Sequence, residues 1–307
     1  MSITSKGCKV HRCRQRIATI KSPDDEEIRL NYLECLNPPS LDKKGTILLI
    51  HGFPQTSYQF RHVIIPLSNA GYHIIAPDYR GAGQSSKPAS GFTKAIMAGD
   101  ILIPVRDYLG IKEKIHVVGH DIGGMIAFAY ASRYPDHVAS VIWGECPLPG
   151  SSFYEQSKGT VALFHFIFHS VLDLPEALVA GREGIYLKHF FDKLSYNSAA
   201  ISLTDLEYYT TCYSQPGAMR CGINVYRAFE KDVEENRKWL KENGKCKIPA
   251  LALSGGNCFL AQHAESMLKE FHVHVENATV ADSGHYIAEE NPEDFVHEVL
   301  EFVRKNN

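Results

Sequence analysis

The residue with the clearest chemical potential is Asp121, at the centre of Gly119-His120-Asp121-Ile122-Gly123. Ile115, Val117 and Val118 before it are β-branched and read as a short buried strand. The Ala-rich run after Gly124 reads as a helix packed closely on a sheet. A sharp strand-to-helix turn with small residues on either side exposes its central side chain and aims the next amide, that of Ile122, at a reacting oxygen. A serine there would serve acyl transfer. A carboxylate attacking an ester would give a mixed anhydride, whereas attack on an sp3 carbon gives an alkyl ester that water can cleave. Epoxide opening or halide displacement is therefore the expected chemistry. A helix-capping Asp in a Gly-rich turn is the plainer reading.

Such an ester needs a base to activate water. His285, in Ser283-Gly284-His285-Tyr286, follows the last strand pattern and precedes the final helix, a short loop free to reach the turn. Its imidazolium needs an acid. The loop Gly255-Gly256-Asn257-Cys258-Phe259-Leu260 has none, so Glu145, after the strand Val138–Ile142, is assigned. His51-Gly52-Phe53-Pro54 closes another apolar strand, and the Phe53 amide could join that of Ile122 as an oxyanion hole, or simply make a tight turn. Further along, Tyr226 and His165 put polar heads into apolar helices, where they could protonate a leaving oxygen. For His165 a core role is as natural. His51, His120, Trp143 and Phe166 are expected around the substrate. No metal ligand set is expected: His272 and His274 alternate without a third ligand and read as a solvated strand face.

Elements able to place these groups are legible. Apolar strands at 46–50, 72–77, 138–142 and 248–254 alternate with helical stretches, preceded by strands at 17–20 and 28–33 and followed by one at 272–280. A helix is expected over about 94–109. The stretch 148–244 turns helical throughout, with a capping box expected at Thr204-Asp205-Leu206-Glu207. Asn291-Pro292-Glu293-Asp294 opens a final helix. The pattern implies an α/β core at 1–147 and 245–307, interrupted by a helical cap at 148–244.

At 307 residues, 44% hydrophobic and 22% charged, with net charge −3, the chain has the balance of a globular protein and lacks the basic footprint of a nucleic-acid binder. Its eight cysteines show no C-x-x-C spacing, so reduced thiols in the cytoplasm are expected. The basic N-terminus, with Lys6, Lys9, Arg12, Arg14 and Arg16, has no apolar core for a secretory signal and reads as a solvated edge, with an Arg-rich transit segment the alternative. The apolar run 161–174 is too short for a membrane span.

Together the H-G-F-P turn, Asp78-Tyr79-Arg80-Gly81-Ala82-Gly83-Gln84-Ser85, G-H-D-x-G-G, the helical insertion and the late Gly284-His285 resemble the α/β-hydrolase superfamily, within it the epoxide hydrolase and haloalkane or haloacid dehalogenase branch. The resemblance runs from about Ile28 onward. It implies an eight-stranded, mostly parallel sheet with a helical cap and cofactor-independent chemistry. Asp121 would be nucleophile, His285 base, the Phe53 and Ile122 amides the oxyanion hole, and Tyr226 in Asn224-Val225-Tyr226-Arg227 the activator of an epoxide oxygen.

Departures are present too. Many epoxide hydrolases carry the acid where Asn257 stands, while Glu145 is placed as in haloalkane dehalogenases. His165 stands at the first of two usual cap tyrosines, as in fluoroacetate-type dehalogenases. Neither halide-binding constellation is intact, since Ile122, Met125 and Phe53 are apolar. The expected activity is hydrolysis of a small apolar epoxide by a monomer or homodimer. A dehalogenase is the alternative, and a non-catalytic ligand-binding protein on the same fold a further one.

Overall fold

The computed structural model describes residues 12–307. The basic positions Lys6 and Lys9 lie outside them. Eight strands form one sheet: β1 (Cys13–Lys21), β2 (Glu27–Cys35), β3 (Gly45–Ile50), β4 (Tyr72–Pro77), β5 (Ile115–His120), β6 (Val138–Gly144), β7 (Ala250–Gly255) and β8 (Val275–Val280). Their order is β1-β2-β4-β3-β5-β6-β7-β8. β1 and β2 pair antiparallel, as do β2 and β4, and every other ladder is parallel.

Why the centre is parallel follows from composition. β4, β5 and β7 are buried along their whole length, so helices must cover both faces. On the core side these are α1 (Ile64–Asn69), α2 (Lys94–Ile103) and α3 (Ile122–Arg133). Between β6 and β7 lies a purely helical insertion of α4 (Ser152–Ser157), α5 (Phe164–Ser170), α6 (Leu174–Val179), α7 (Glu183–Leu194), α8 (Leu203–Tyr213), α9 (Ala218–Arg227) and α10 (Phe229–Asn243). After β7 follow α11 (Ala261–Phe271), α12 (Ile287–Glu290) and α13 (Pro292–Lys305). β3 lies between β4 and β5, so the loops leaving β3 and β5 diverge and open a crevice at their carboxyl ends.

Several local expectations are corrected. The helix over 94–109 is regular only to Ile103. Pro104 has no N–H to continue the ladder, and Leu109 instead bonds to the Pro104 carbonyl at 3.0 Å, a wide π-type turn. The capping box exists but is centred on Ser202, whose hydroxyl accepts from the Asp205 amide. The last strand begins only at Val275. His272 is no solvated strand residue: it is buried, and its Nε2 accepts from the Trp143 indole at 3.2 Å. The cysteines are not all reduced. Cys13 and Cys35, opposite each other in the β1–β2 register, form a disulfide, a pairing their 22-residue separation did not announce. Cys146, Cys212, Cys221, Cys246 and Cys258 are free.

Candidate active site

Asp121 sits between β5 and α3 at φ 53°, ψ −123°, backbone space that costs a non-glycine residue about 1–3 kcal/mol. The turn can hold it because its neighbours are bare. A Cβ on Gly119 would lie 2.1 Å from the Gly123 carbonyl oxygen, and one on Gly52 would lie 2.5 Å from the Asp121 Cβ. That second approach brings the Phe53 amide to 2.9 Å from Asp121 Oδ1, and the Ile122 amide opens α3 beside it. Burial raises the Asp121 pKa, while the charge on His285 and the two amides pull it down. Although deep in the molecule, Asp121 keeps accessible surface, as a side chain facing a cavity does.

His285 is buried on the loop between β8 and α12, with Nδ1 3.0 Å from Glu145 Oε2. With a carboxylate as partner, Nδ1 is the donor, which leaves Nε2 unprotonated in the neutral ring. Burial by itself lowers the His285 pKa, but the Glu145 hydrogen bond and charge, with that of Asp121, raise it overall. Glu145, at φ 59° just past β6, accepts the Gly255 amide on its other oxygen at 2.8 Å. The carboxylate that meets His285 therefore comes from the β6 end and is held by the end of β7.

The insertion covers this group with aromatic rings. Tyr226 on α9 stands edge-on to Phe53 and to His165 of α5, both at 5.4 Å between centroids. Burial drives the Tyr226 phenol well above its usual pKa, with the Asp121 charge adding to the shift, so it keeps its proton. Burial likewise lowers His165 to about 3, so it is a neutral imidazole. Phe166 packs on Tyr226 and Phe229.

Three residues expected around the substrate stand elsewhere. Trp143 is fully buried in the core against Phe128, because β6 turns it away from the crevice. His51 is also fully buried, stacked on Tyr79 at 4.1 Å behind the Phe53 turn. His120 lies beneath His285, its Nε2 donating to the His285 carbonyl at 2.6 Å. Strand geometry points Trp143 and His120 to the interior, and the turn after β3 does the same for His51.

Other residues at the site had weaker signals. Lys94, buried at the start of α2, donates to Asp232 Oδ2 at 2.6 Å and to the Val225 carbonyl at 2.9 Å, next to Tyr226. His169, one helical turn after His165, meets the Tyr186 hydroxyl at 2.6 Å and lies 4.5 Å from the Tyr226 ring. Its i+4 spacing was the available hint; Lys94 offered none. The broad groove of about 660 Å³ lined by Ile185, Leu203 and Leu206 is on the outside of the insertion, formed without any of the groups around Asp121.

A family profile described as alpha/beta hydrolase fold matches residues 45–292. The chain belongs to the α/β-hydrolase family. It is 34% identical over 262 residues to the soluble epoxide hydrolase of Corynebacterium sp. (strain C12), covering 83% of this chain and 89% of that one. It is a hydrolase of the epoxide hydrolase branch. Among solved structures, Cfl2 from Burkholderia cenocepacia superposes with TM-score 0.85 at 29% identity, over 96% of this chain and 97% of that one. The epoxide hydrolase CorEH, solved without ligand, superposes with TM-score 0.82 at 28% identity, over 96% and 100%. Among the described residues, no helix of this hydrolase is long and apolar enough to cross a membrane.

Proposed function

We propose that this hydrolase opens a small apolar epoxide through an ester on Asp121 and releases a diol. The observation that carries the reading is the Phe53 amide on Asp121 Oδ1. One carboxylate oxygen is held by the Phe53 amide, which leaves Oδ2 to attack an epoxide carbon from below. The C–O bond that breaks leaves its electrons on the epoxide oxygen. The Tyr226 phenol gives that oxygen its proton and is left as phenolate, with a hydrogen bond from His165 beside it. His165, neutral, acts as a donor of a hydrogen bond and not as an acid.

In the second half, His285 Nε2 takes a proton from water as the hydroxide attacks the ester carbonyl carbon. The carbonyl oxygen, already in place between the Phe53 and Ile122 amides, becomes the oxyanion. Collapse breaks the bond to the substrate, whose oxygen takes the proton from His285, and Asp121, left as a carboxylic acid, loses its proton as the Tyr226 phenolate regains one, so that both return to their starting forms. Glu145 stabilises the imidazolium between these two transfers. The groups that line the site from the insertion are aromatic and uncharged, which suits an apolar epoxide. Displacement of halide would call for a donor such as an indole N–H near Asp121, and that of Trp143 is committed to His272.

The test is the intact mass of His285→Gln protein incubated with epoxide and organohalide panels. A mass gain equal to the whole epoxide is expected. A gain equal to an organohalide less hydrogen halide would make it a dehalogenase, and no adduct with either panel would overturn covalent catalysis.

A further inference from the structure

Cys258 has no part in the reaction just described, yet it stands at the acid–base pair. Its sulfur, a Glu145 carboxylate oxygen and a His285 ring nitrogen lie within 4.8 Å of one another. Among the described residues, no other trio of His, Cys, Asp or Glu donors is gathered in this way. Two of the three are buried, and Cys258 is part-exposed on the turn after β7, so the cluster has an opening to solvent. We infer that Glu145, Cys258 and His285 form a site for a thiophilic divalent cation, Zn2+ or Cd2+, whose binding halts water activation.

The donor set selects for that class. Thiolate and imidazole suit zinc and its heavier congener, whereas magnesium and calcium require oxygen ligands. Metal–donor distances of about 2.0–2.3 Å put the donors of a tetrahedral site roughly 3.3–3.7 Å apart, so Glu145 and His285, 3.0 Å apart, would separate slightly while rotation of the Cys258 side chain brings the sulfur to its distance. Three protein ligands leave a fourth position for water.

Oxidation or alkylation of the thiol is the competing idea, and its surroundings oppose it. Burial, with the Glu145 carboxylate beside it, holds the Cys258 thiol protonated far above its ordinary value, whereas both reactions need thiolate. A cation reverses that balance by supplying positive charge between the sulfur and the carboxylate.

Cys258 loses its thiol proton to solvent. His285 must offer Nδ1 to the metal, so the neutral ring carries its proton on Nε2 instead. A ring protonated there cannot take a proton from water, and Glu145 is diverted to the metal. This consequence rests on the proposed role of His285; binding itself does not. Ring opening by Asp121 needs neither residue and continues, so the loaded protein should stop as its ester.

The experiment titrates the chelator-treated full chain with cadmium chloride alone and follows the cadmium–thiolate charge-transfer absorption. One equivalent should produce the band, Cys258→Ser and Cys258→Ala should lose it, and Cys212→Ser should keep it. Turnover by wild type should fall with cadmium, recover with chelator, and be weakened in sensitivity by more than about 100-fold in Cys258→Ser, beyond the loss typical of a merely supporting residue. Both Cys258 variants should turn over normally in chelator. A band that persists without Cys258, or a Cys258→Ser enzyme as cadmium-sensitive as wild type, overturns the site. If His285→Gln never forms an ester, the functional reading fails, while the absorption band still decides the metal site.

Discussion

Lys94 Nζ lies 2.9 Å from the carbonyl oxygen of Val225, the residue before Tyr226, so a lysine of the core grips the helix that carries the proposed proton donor. The same ammonium pairs with buried Asp232. Lys94→Met should slow ring opening in single-turnover measurements while leaving hydrolysis of a preformed ester unchanged. It should also cost about 3–5 kcal/mol of stability, because Asp232 keeps a buried charge without its ammonium, held only by the residue-94 amide. Adding Asp232→Asn should recover stability in denaturant melts but not the ring-opening rate. Equal slowing of both steps would remove Lys94 from the positioning of Tyr226.

Tyr226→Phe should lower ring opening by about 10²-fold or more, and His165→Phe by less, if the phenol is the principal donor. Rapid-quench formation of the Asp121 ester reads this directly. Undiminished ester formation in Tyr226→Phe would exclude the phenol as proton donor.

Glu145→Gln keeps the shape but removes the charge that His285 faces at 3.0 Å. Ester hydrolysis should fall by about 10²–10⁴-fold with ester formation spared, so the covalent adduct should accumulate during turnover and show in intact mass. Wild-type turnover in this variant would mean that the acid lies elsewhere.

The insertion is clamped to the core by Arg61, which pairs with Glu289 of the core and, at 3.1 Å, with Asp205 of α8; Tyr58 also donates to Asp205 at 3.0 Å. Arg61→Met leaves two carboxylates with reduced compensation and should cost about 3 kcal/mol or more, seen as a lower Tm in calorimetry. Glu289→Gln on top of it should restore part of the loss. A Tm equal to wild type for Arg61→Met would show the clamp to be energetically idle.

Burial holds His272 at a pKa of about 4, with Trp143 donating to its Nε2. In the unfolded chain the ring titrates near 6.5, so between those values the unfolded state binds more protons. The contribution of His272 is complete above about pH 6.5 and is lost as pH falls towards 4, a few kcal/mol at roughly 1.4 kcal/mol per unit. His272→Gln, which can still accept from the indole, should show a shallower loss of unfolding free energy between pH 7 and 4.5. An unchanged slope would mean that His272 does not titrate with unfolding.

What the chain determined by itself is the part written in short-range pattern. The β-branched run before Asp121, the glycines at 119 and 123, and the strand–helix alternation specify an elbow at the end of a parallel strand, because backbone sterics and face periodicity act over a few residues. The chemistry followed from residue type, since a carboxylate in an elbow suits sp3 carbon. Only the tertiary structure decided which groups meet. That Trp143 turns inward depends on which face of β6 is packed, and a buried strand with apolar residues on both faces carries no hydrophobic alternation to reveal it; that His51 does so depends on how the turn after β3 folds back. The approach of Lys94 to Val225, of Cys258 to Glu145, and of Cys13 to Cys35 joins residues distant in sequence, brought together by the sheet order and the seating of the insertion, and no local periodicity encodes such distances.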